Sequence, residues 1–513
     1  MNARLGSRES RKRLATVYEV FTWPWLAALS AEQGRHLTLA DVPDRAWNEL
    51  ARPGVDAVWL MGVWERSPDG RRIARADPEV DAAVAAALPD ATLDDVVGSA
   101  YCVRRYEVDP HLGGRAGLAV AREALARRGL LLLLDFVPNH VAPDHPWLAE
   151  HPEYFVHGTE DDLAAHPDAW LRTPGGIVAH GRDPFFPPWR DVVQLDPMSE
   201  PLRDAAVATL VDIADQCDGV RCDMANLLLD EVAERTWAGR MQPARPEPYW
   251  REVTHRVRAQ RPGFVFLAEA YWGLEGALLE QGVDSCYDKP LYDRLVHADP
   301  QGVRAHVHAD PAMQGRLVRF LENHDEPRAA AAFPVDRLRA AAVALLTLPG
   351  VILLHDGQFE GRRVRVPVQL GRAPVEAADA DASAFWTRLL AVVAREQVRS
   401  GDWQLLDVHG WPDNQSCESI LAWRWRNHLV AINYSGSRAD GLVQLGDEWS
   451  ARRLMLHDVL HDVTYSLDGH DLYVDLPPYG AHLFRVEPQS VRSSARAGAP
   501  SEPTSFSGRQ SSS

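Results

Sequence analysis

Residues 115–140 read RAGLAVAREALARRGLLLLLDFVPNH, and this stretch decides the fold. Its first half sets Leu118, Ala121 and Leu125 on one helical face, with Arg122, Glu123 and Arg127 away from it. Gly129 ends that helix, and Leu130–Val137 (LLLLLDFV) reads as a strand buried on both faces. Such strands belong to parallel sheets, whose crossovers are helices. At its carboxyl end the run turns polar, with Asp135, Asn139 and His140.

The same grammar recurs on both sides. Val17–Phe21 is the candidate first strand, and the helix-like PDRAWNELARPG (43–54) leads to Ala57–Val63. A helix over Pro201–Gln216 leads to Gly219–Cys222, and one over Pro248–Gln260 leads to Phe264–Leu267. Gly282–Cys286, then Leu317–Leu321, then a helix over Val335–Leu346 and the strand Val351–Leu354 complete the series. Eight strands alternating with helices predict an α/β fold, a (β/α)8 TIM barrel with right-handed crossovers. The competing doubly wound sheet carries a Gly-rich turn after its first strand, where this chain has TWPWL.

The barrel is expected over residues 15–400. Within it, 141–195 breaks the rhythm with Pro, His, Trp and Asp (APDHPWLAEHPEYFVHG, DPFFPPWRD) and reads as an insertion after the third strand. From 401 to 487 the pattern alternates (ILAWRWRNHLVAINY, RRLMLHDV, DLYVDLPPYGAHLFRV), which predicts a C-terminal antiparallel β-domain. Residues 1–14 read as a flexible arm, and the Ser/Pro/Gly-rich 488–513 as a disordered tail.

With 513 residues, 46% hydrophobic and 25% charged, the composition is that of a soluble globular chain. A net charge of −18 argues against a nucleic-acid partner and against an anionic membrane surface. Five scattered cysteines without CxxC spacing read as reduced, buried thiols, not zinc ligands or a disulfide framework. The polar, basic start has no apolar signal segment, and no run approaches the roughly 20 residues that span a bilayer. The expected compartment is the cytoplasm.

Barrel enzymes draw their chemistry from the carboxyl ends of several strands. Here the third strand ends DFVPNH, the fourth GVRCDMAN with Arg221 and Asp223, and the fifth FLAEAYW with Glu269. The seventh ends RFLENHDEPR, bringing Asn323, His324, Asp325 and Arg328. Three carboxylates (Asp223, Glu269, Asp325), two histidines and an arginine would converge on one mouth. A metal-dependent amidohydrolase would instead want an HxH pair ending the first strand, and VYEVFTWPW has no histidine.

The four regions DFVPNH, GVRCD, AEAYW and NHD, in order and in register with the predicted strands, resemble the α-amylase family of glycoside hydrolases. The segments GSAY (98–101) and LPGVILLHDG (348–357) add to the likeness. The resemblance implies a retaining enzyme acting on an α-glucan or oligosaccharide, with Asp223 as nucleophile and Glu269 as general acid/base. Asp325 would stabilise the transition state; His140 and His324 would bind sugar hydroxyls, and Tyr101 would stack beneath the sugar. Retaining hydrolysis needs two carboxyl groups about 5–5.5 Å apart, one ionised and one protonated. Arg221, two residues before Asp223, is expected to hold the nucleophile's pKa down, while apolar neighbours Ala268, Ala270, Tyr271 and Trp272 raise that of Glu269.

Arg328 would bind a second sugar or pair with Glu326, and Asp135 would hydrogen-bond near Arg221 beneath the site. Trp23, Trp64, Trp147, Trp189 and Trp272 lie near strand ends or in the insertion, and are candidates for sugar contact. No redox or nucleotide cofactor is implied. Asn139 matches a common calcium ligand of the family, yet its partner His is missing and the insertion is short. Met224, Ala225 and Asn226 stand where many α-amylases carry a Lys-His pair, and Arg105 where relatives often carry Asp. Hydrolysis and transfer share one covalent glycosyl-enzyme, and both readings stay open, the second as a transglycosylase or isomerase of the same family acting on maltooligosaccharides, sucrose or trehalose. So does a catalytically silent carbohydrate-binding protein, although such members usually lose one of the three carboxylates.

Overall fold

The computed structural model describes residues 14–446, 449 and 453–488. The arm expected at 1–14 and the tail expected at 488–513 lie, apart from Leu14 and Pro488, outside the described residues.

The helix Gly114–Ala126 buries Gly117, Leu118, Ala121, Ala124 and Leu125. It stops where Gly129 takes φ 74° and the Leu130 N–H bonds back to the Leu125 carbonyl, closing the last turn. The strand that follows, Leu131–Phe136, is buried from its second residue onward. Seven other strands share its direction, and we number the eight in chain order. They are β1 (Thr16–Phe21), β2 (Ala57–Met61), β3 (Leu131–Phe136), β4 (Gly219–Cys222), β5 (Val265–Ala268), β6 (Ser285–Tyr287), β7 (Leu317–Arg319) and β8 (Val351–His355). They pair in parallel in the order β1-β8-β7-β6-β5-β4-β3-β2 and close on themselves. This is the (β/α)8 barrel. Register places Arg221 of β4 beside Asp135 of β3 and Leu267 of β5, so polar strand ends gather at one rim.

Two additions follow strands at that rim, and a third packs against the side of the barrel. After β2 come a short strand, Trp64–Arg66, and two helices, Pro68–Ala76 and Pro78–Ala87, which the alternation of the sequence did not reveal. Trp64–Arg66 pairs with Val103–Val108. After β3, the strands His140–Val141, Trp189–Gln194, Gly176–Gly181 and Trp170–Thr173 form an antiparallel sheet over a small core of Val141, Tyr154, Phe155, Val178 and Val193. Beyond the barrel lie a six-stranded and a three-stranded antiparallel sheet, packed on Leu406, Ile420, Leu429, Val443 and Leu456. They are fastened to the barrel side by Trp425, whose Nε1 donates to the Thr347 carbonyl at 2.7 Å, and by Tyr434, whose hydroxyl donates to Leu295 at 2.8 Å. Leu421, Trp423 and Ile432 belong to the main core.

Among the described residues, no helix is long and apolar enough to cross a membrane.

Candidate active site

β4 delivers its acid by running straight into a turn. The Asp223 N–H still bonds to Phe136 of β3, and the next residue, Met224, is forced to φ 43°, ψ 40°. A side chain in the left-handed region costs on the order of 1–3 kcal/mol, which the surrounding bonds must hold. They do: the Met224 N–H donates to Glu269 Oε2 at 2.6 Å, and Ala225 N–H to the Glu269 carbonyl. The loop after β5 has a matching kink, with Trp272 at φ 64° and Gly273 at φ 74°. At the end of β7, Asn323 Oδ1 accepts from the N–H groups of Asp325 and Glu326, folding the chain so that Asp325 turns outward.

One guanidinium joins the three acids. Arg221 Nη1 donates to Asp223 Oδ1 at 2.5 Å, and Nη2 stands 2.8 Å from Glu269 Oε2 and 3.8 Å from Asp325 Oδ2. Its charge lies among the rings of Tyr101, Trp59 and Tyr287, at 5.0, 5.3 and 5.8 Å. Asp223, Glu269, His140 and His324 are all buried, whereas the Asp325 side chain is 40% exposed and marks the opening.

The environments raise two of the acids and lower the third. Burial raises the Asp223 carboxyl above its ordinary value, and Arg221 offsets only part of that, so the expectation of a lowered pKa is reversed in sign. Burial also raises Glu269, to about 7, against the pull of Arg221 and with Asp223 and Asp325 adding to it. Its company is less apolar than expected, since the Tyr271 hydroxyl donates to Oε1 at 2.8 Å. Asp325 goes the other way: burial would raise it, but His324 overrides this and holds it at about 2.

His140 Nε2 is 4.0 Å from Asp223 Oδ2, its ring edge-on to Trp189, and burial pushes its pKa to about 4, leaving it neutral at neutral pH. His324 Nε2 faces Asp325 Oδ2 at 2.9 Å and the Tyr101 hydroxyl at 2.8 Å. Asp223, Glu269, Asp325, Tyr101, His140, Arg221 and His324 therefore form one contiguous cluster.

Arg328 departs from both expectations. It is 4% exposed, its Nη2 is 2.9 Å from Glu322 and donates to the Asp356 carbonyl, and its Nη1 lies 2.8 Å from His355 Nδ1. Glu326 pairs with Lys289 instead. Burial under β8 explains this, because a buried guanidinium takes the nearest buried carboxylate. Asp135 lies beside Arg221 across the β3–β4 pairing, as expected, and accepts from Trp59 Nε1 (3.1 Å) and the Gly62 N–H (2.7 Å). Gly62 has φ 76°, which lets the backbone reach that carboxylate. Of the tryptophans, Trp64 is core and donates to the Asp135 carbonyl, Trp23 stacks on His111, and Trp147 packs on Tyr154. Trp272 is 41% exposed and stands edge-on to Phe185 at 4.9 Å.

The residues present do not fit calcium. Asn139 and Gln194 satisfy each other's amides, with His140 beside them, and calcium takes six to eight oxygens, carboxylates among them.

Two partners escaped the sequence reading. Arg365, from the loop after β8, donates to the Asp325 carbonyl. Glu19 of β1 lies 2.6 Å from His324 Nδ1. A lone acid within an otherwise uncharged buried strand, TVYEVF, is the signal that could have found it.

No family model matches the chain. Over 271 residues it is 28% identical to the α-amylase MalA of Haloarcula japonica, covering 51% of this chain and 36% of that protein. Over 266 residues it is 26% identical to an α-1,4-glucan:maltose-1-phosphate maltosyltransferase of Pseudomonas aeruginosa, covering 50% and 33%. The chain thus spans about a third of the length of these two curated relatives. The crystal structure of a maltogenic α-amylase from Thermotoga neapolitana superposes with a TM-score of 0.65 at 18% identity, covering 92% of this chain and 98% of the other.

Proposed function

We propose, from the barrel fold and the likeness to α-amylases, that this chain is a member of the α-amylase family and a retaining α-glycoside hydrolase cleaving α-glucosidic bonds of oligo- or polysaccharides. The observation that carries the reading is Arg221 reaching both Asp223 and Glu269, with Glu269 raised to about 7, where it can hold a proton near neutrality.

In this reading Asp223 Oδ2, the oxygen not bonded to Arg221, attacks the anomeric carbon. The bond to the leaving oxygen breaks, and that oxygen takes the proton from Glu269. A pKa of about 7 leaves Glu269 largely protonated below neutrality and basic enough to work in reverse. It then removes a proton from water, which attacks the same carbon and releases Asp223, so the configuration is retained. Asp325 and His324 receive sugar hydroxyls at the open side, and neutral His140 binds a hydroxyl near Asp223. An α-glucan is the matching substrate class, flat sugar faces suiting Tyr101 and Trp189. Cytoplasmic action is part of the reading, supported by five buried, unpaired cysteines.

A second reading is transfer, favoured by the exposed Trp272–Phe185 pair beside the Glu269 loop, a surface on which an acceptor sugar can lie in place of water. Several curated relatives are maltosyltransferases. One experiment tests both: incubation with maltotriose, maltoheptaose, sucrose and trehalose, following the anomeric protons by NMR. The α-anomer is expected as first product, with longer oligosaccharides appearing if transfer competes. A β-anomer as first product, or no turnover of any of the four, overturns the proposal.

A further inference from the structure

The acids described so far sit around Arg221, yet one more carboxyl reaches the centre from behind. Glu19, in the middle of β1, is fully buried. Its Oε1 lies 2.6 Å from His324 Nδ1, and among the described residues Oε2 has no hydrogen-bond partner. His324 is thus flanked on both sides, by Glu19 at Nδ1 and by Asp325 Oδ2 and the Tyr101 hydroxyl at Nε2.

A neutral imidazole carries one N–H. Between two carboxylates it would have to turn a lone pair towards one of them, and only the imidazolium offers a proton to each. We propose that Glu19 is a positioning residue: it fixes a proton on His324 Nδ1, so that His324 stands in the site as a second cation beside Asp325.

The consequence lies in the charge balance. Arg221 by itself serves three carboxyls. A charged His324 takes over Asp325, which leaves the guanidinium to Asp223 and Glu269. The groups facing His324 agree with this. Glu19 from β1 and Asp325 from its own turn are the acids in contact; Asp135 and Asp223 lie further off on β3 and at the end of β4. Arg221 and the uncharged Tyr101 and His355 complete the set, with the edge of Trp59. Burial pushes the His324 pKa down, but Asp325 and Glu19 outweigh it and raise it to about 10. A residue of this kind touches no substrate and acts only through the ring it charges.

Glu19→Gln is the discriminating variant, because the amide keeps the shape and an oxygen that accepts from Nδ1 while removing the charge. With histidine labelled at 13Cε1 and the His324 signal assigned by its loss in His324→Asn, the wild-type ring is expected to stay imidazolium from about pH 5 to 9. In Glu19→Gln it is expected to titrate within that range. On the substrate found active, kcat/KM of the variant is expected within about threefold of wild type near pH 5 and at least about tenfold lower near pH 8. An equal loss at every pH would mean a merely structural role, and a neutral His324 in the wild type at pH 7 would overturn the inference outright. The kinetic arm rests on the hydrolase reading, whereas the NMR arm needs no substrate. Failure of the one is therefore told apart from failure of the other, and the wild-type titration decides even if the variant does not fold.

Discussion

Two arginines of this barrel are equally buried, each about 1% exposed, and they do opposite things. Arg319 on β7 turns to the helical layer, with Nε bonded to Asp288 at 3.1 Å, Nη1 to the Pro349 carbonyl and Nη2 to Gln314. Every nitrogen is occupied and one cation meets one acid, with His306 also 2.7 Å from Asp288. Burial pushes Asp288 up, but His306 and Arg319 prevail and leave it lowered. Arg221 on β4 meets three carboxyls, has no hydrogen-bond partner at Nε or Nη2 among the described residues, and is hemmed in by rings. A balanced pair has no reason to hold a spare proton; an acid-rich cluster does, and burial with the neighbouring acids raises Glu269 to about 7. The difference between structural and chemical arginines here is stoichiometry, not burial.

The comparison breaks most visibly at the acids. Asp223→Asn is expected to lower kcat/KM on an aryl α-glucoside by about four orders of magnitude while the melting temperature stays within a few degrees. Arg319→Met should do the reverse. It strands Asp288 with His306 alone, and a loss of about 3 kcal/mol in urea unfolding is expected, with kcat per folded molecule within about twofold. A dead but stable Arg319→Met protein would refute the division.

The pH profile sharpens it. Because Glu269 must be protonated to act as acid, kcat/KM should decline above about pH 7, approaching tenfold per unit. Tyr271 donates to the ionised form of Glu269, so Tyr271→Phe removes support for the charge. The basic limb should then move to higher pH, by about half a unit. The smallest effect belongs to a third kind of pair, Arg115–Asp212, whose side chains are about half exposed. Asp212→Asn should change urea stability by no more than about 0.5 kcal/mol.

The barrel is legible in the chain because buried parallel strands announce themselves, as Leu130–Leu134 and Val351–Leu354 do. The three acids are legible because they directly follow such runs. What the chain hides is whatever depends on closure. Glu19 and His324 stand 305 positions apart, and nothing near either hints at the other until β1 closes the sheet against β8. Arg328 reads as a sugar ligand beside Asp325 until Glu322 and His355 claim it. The net rise of the Asp223 pKa is hidden because Arg221 is visible in the sequence while the depth of burial is not. The sheet within 141–195 is hidden for a different reason, since its short strands are separated by Pro-containing loops and carry no clean alternation.

The bonds of Trp425 and Tyr434 reach into the helical layer, each satisfying a carbonyl there, Thr347 and Leu295. Cutting the chain near residue 400 would leave those carbonyls and the apolar surface around them wet. The catalytic half should not outlive its β-sheet companion on heating, and scanning calorimetry of the whole chain should record one endotherm where two independent modules would give two.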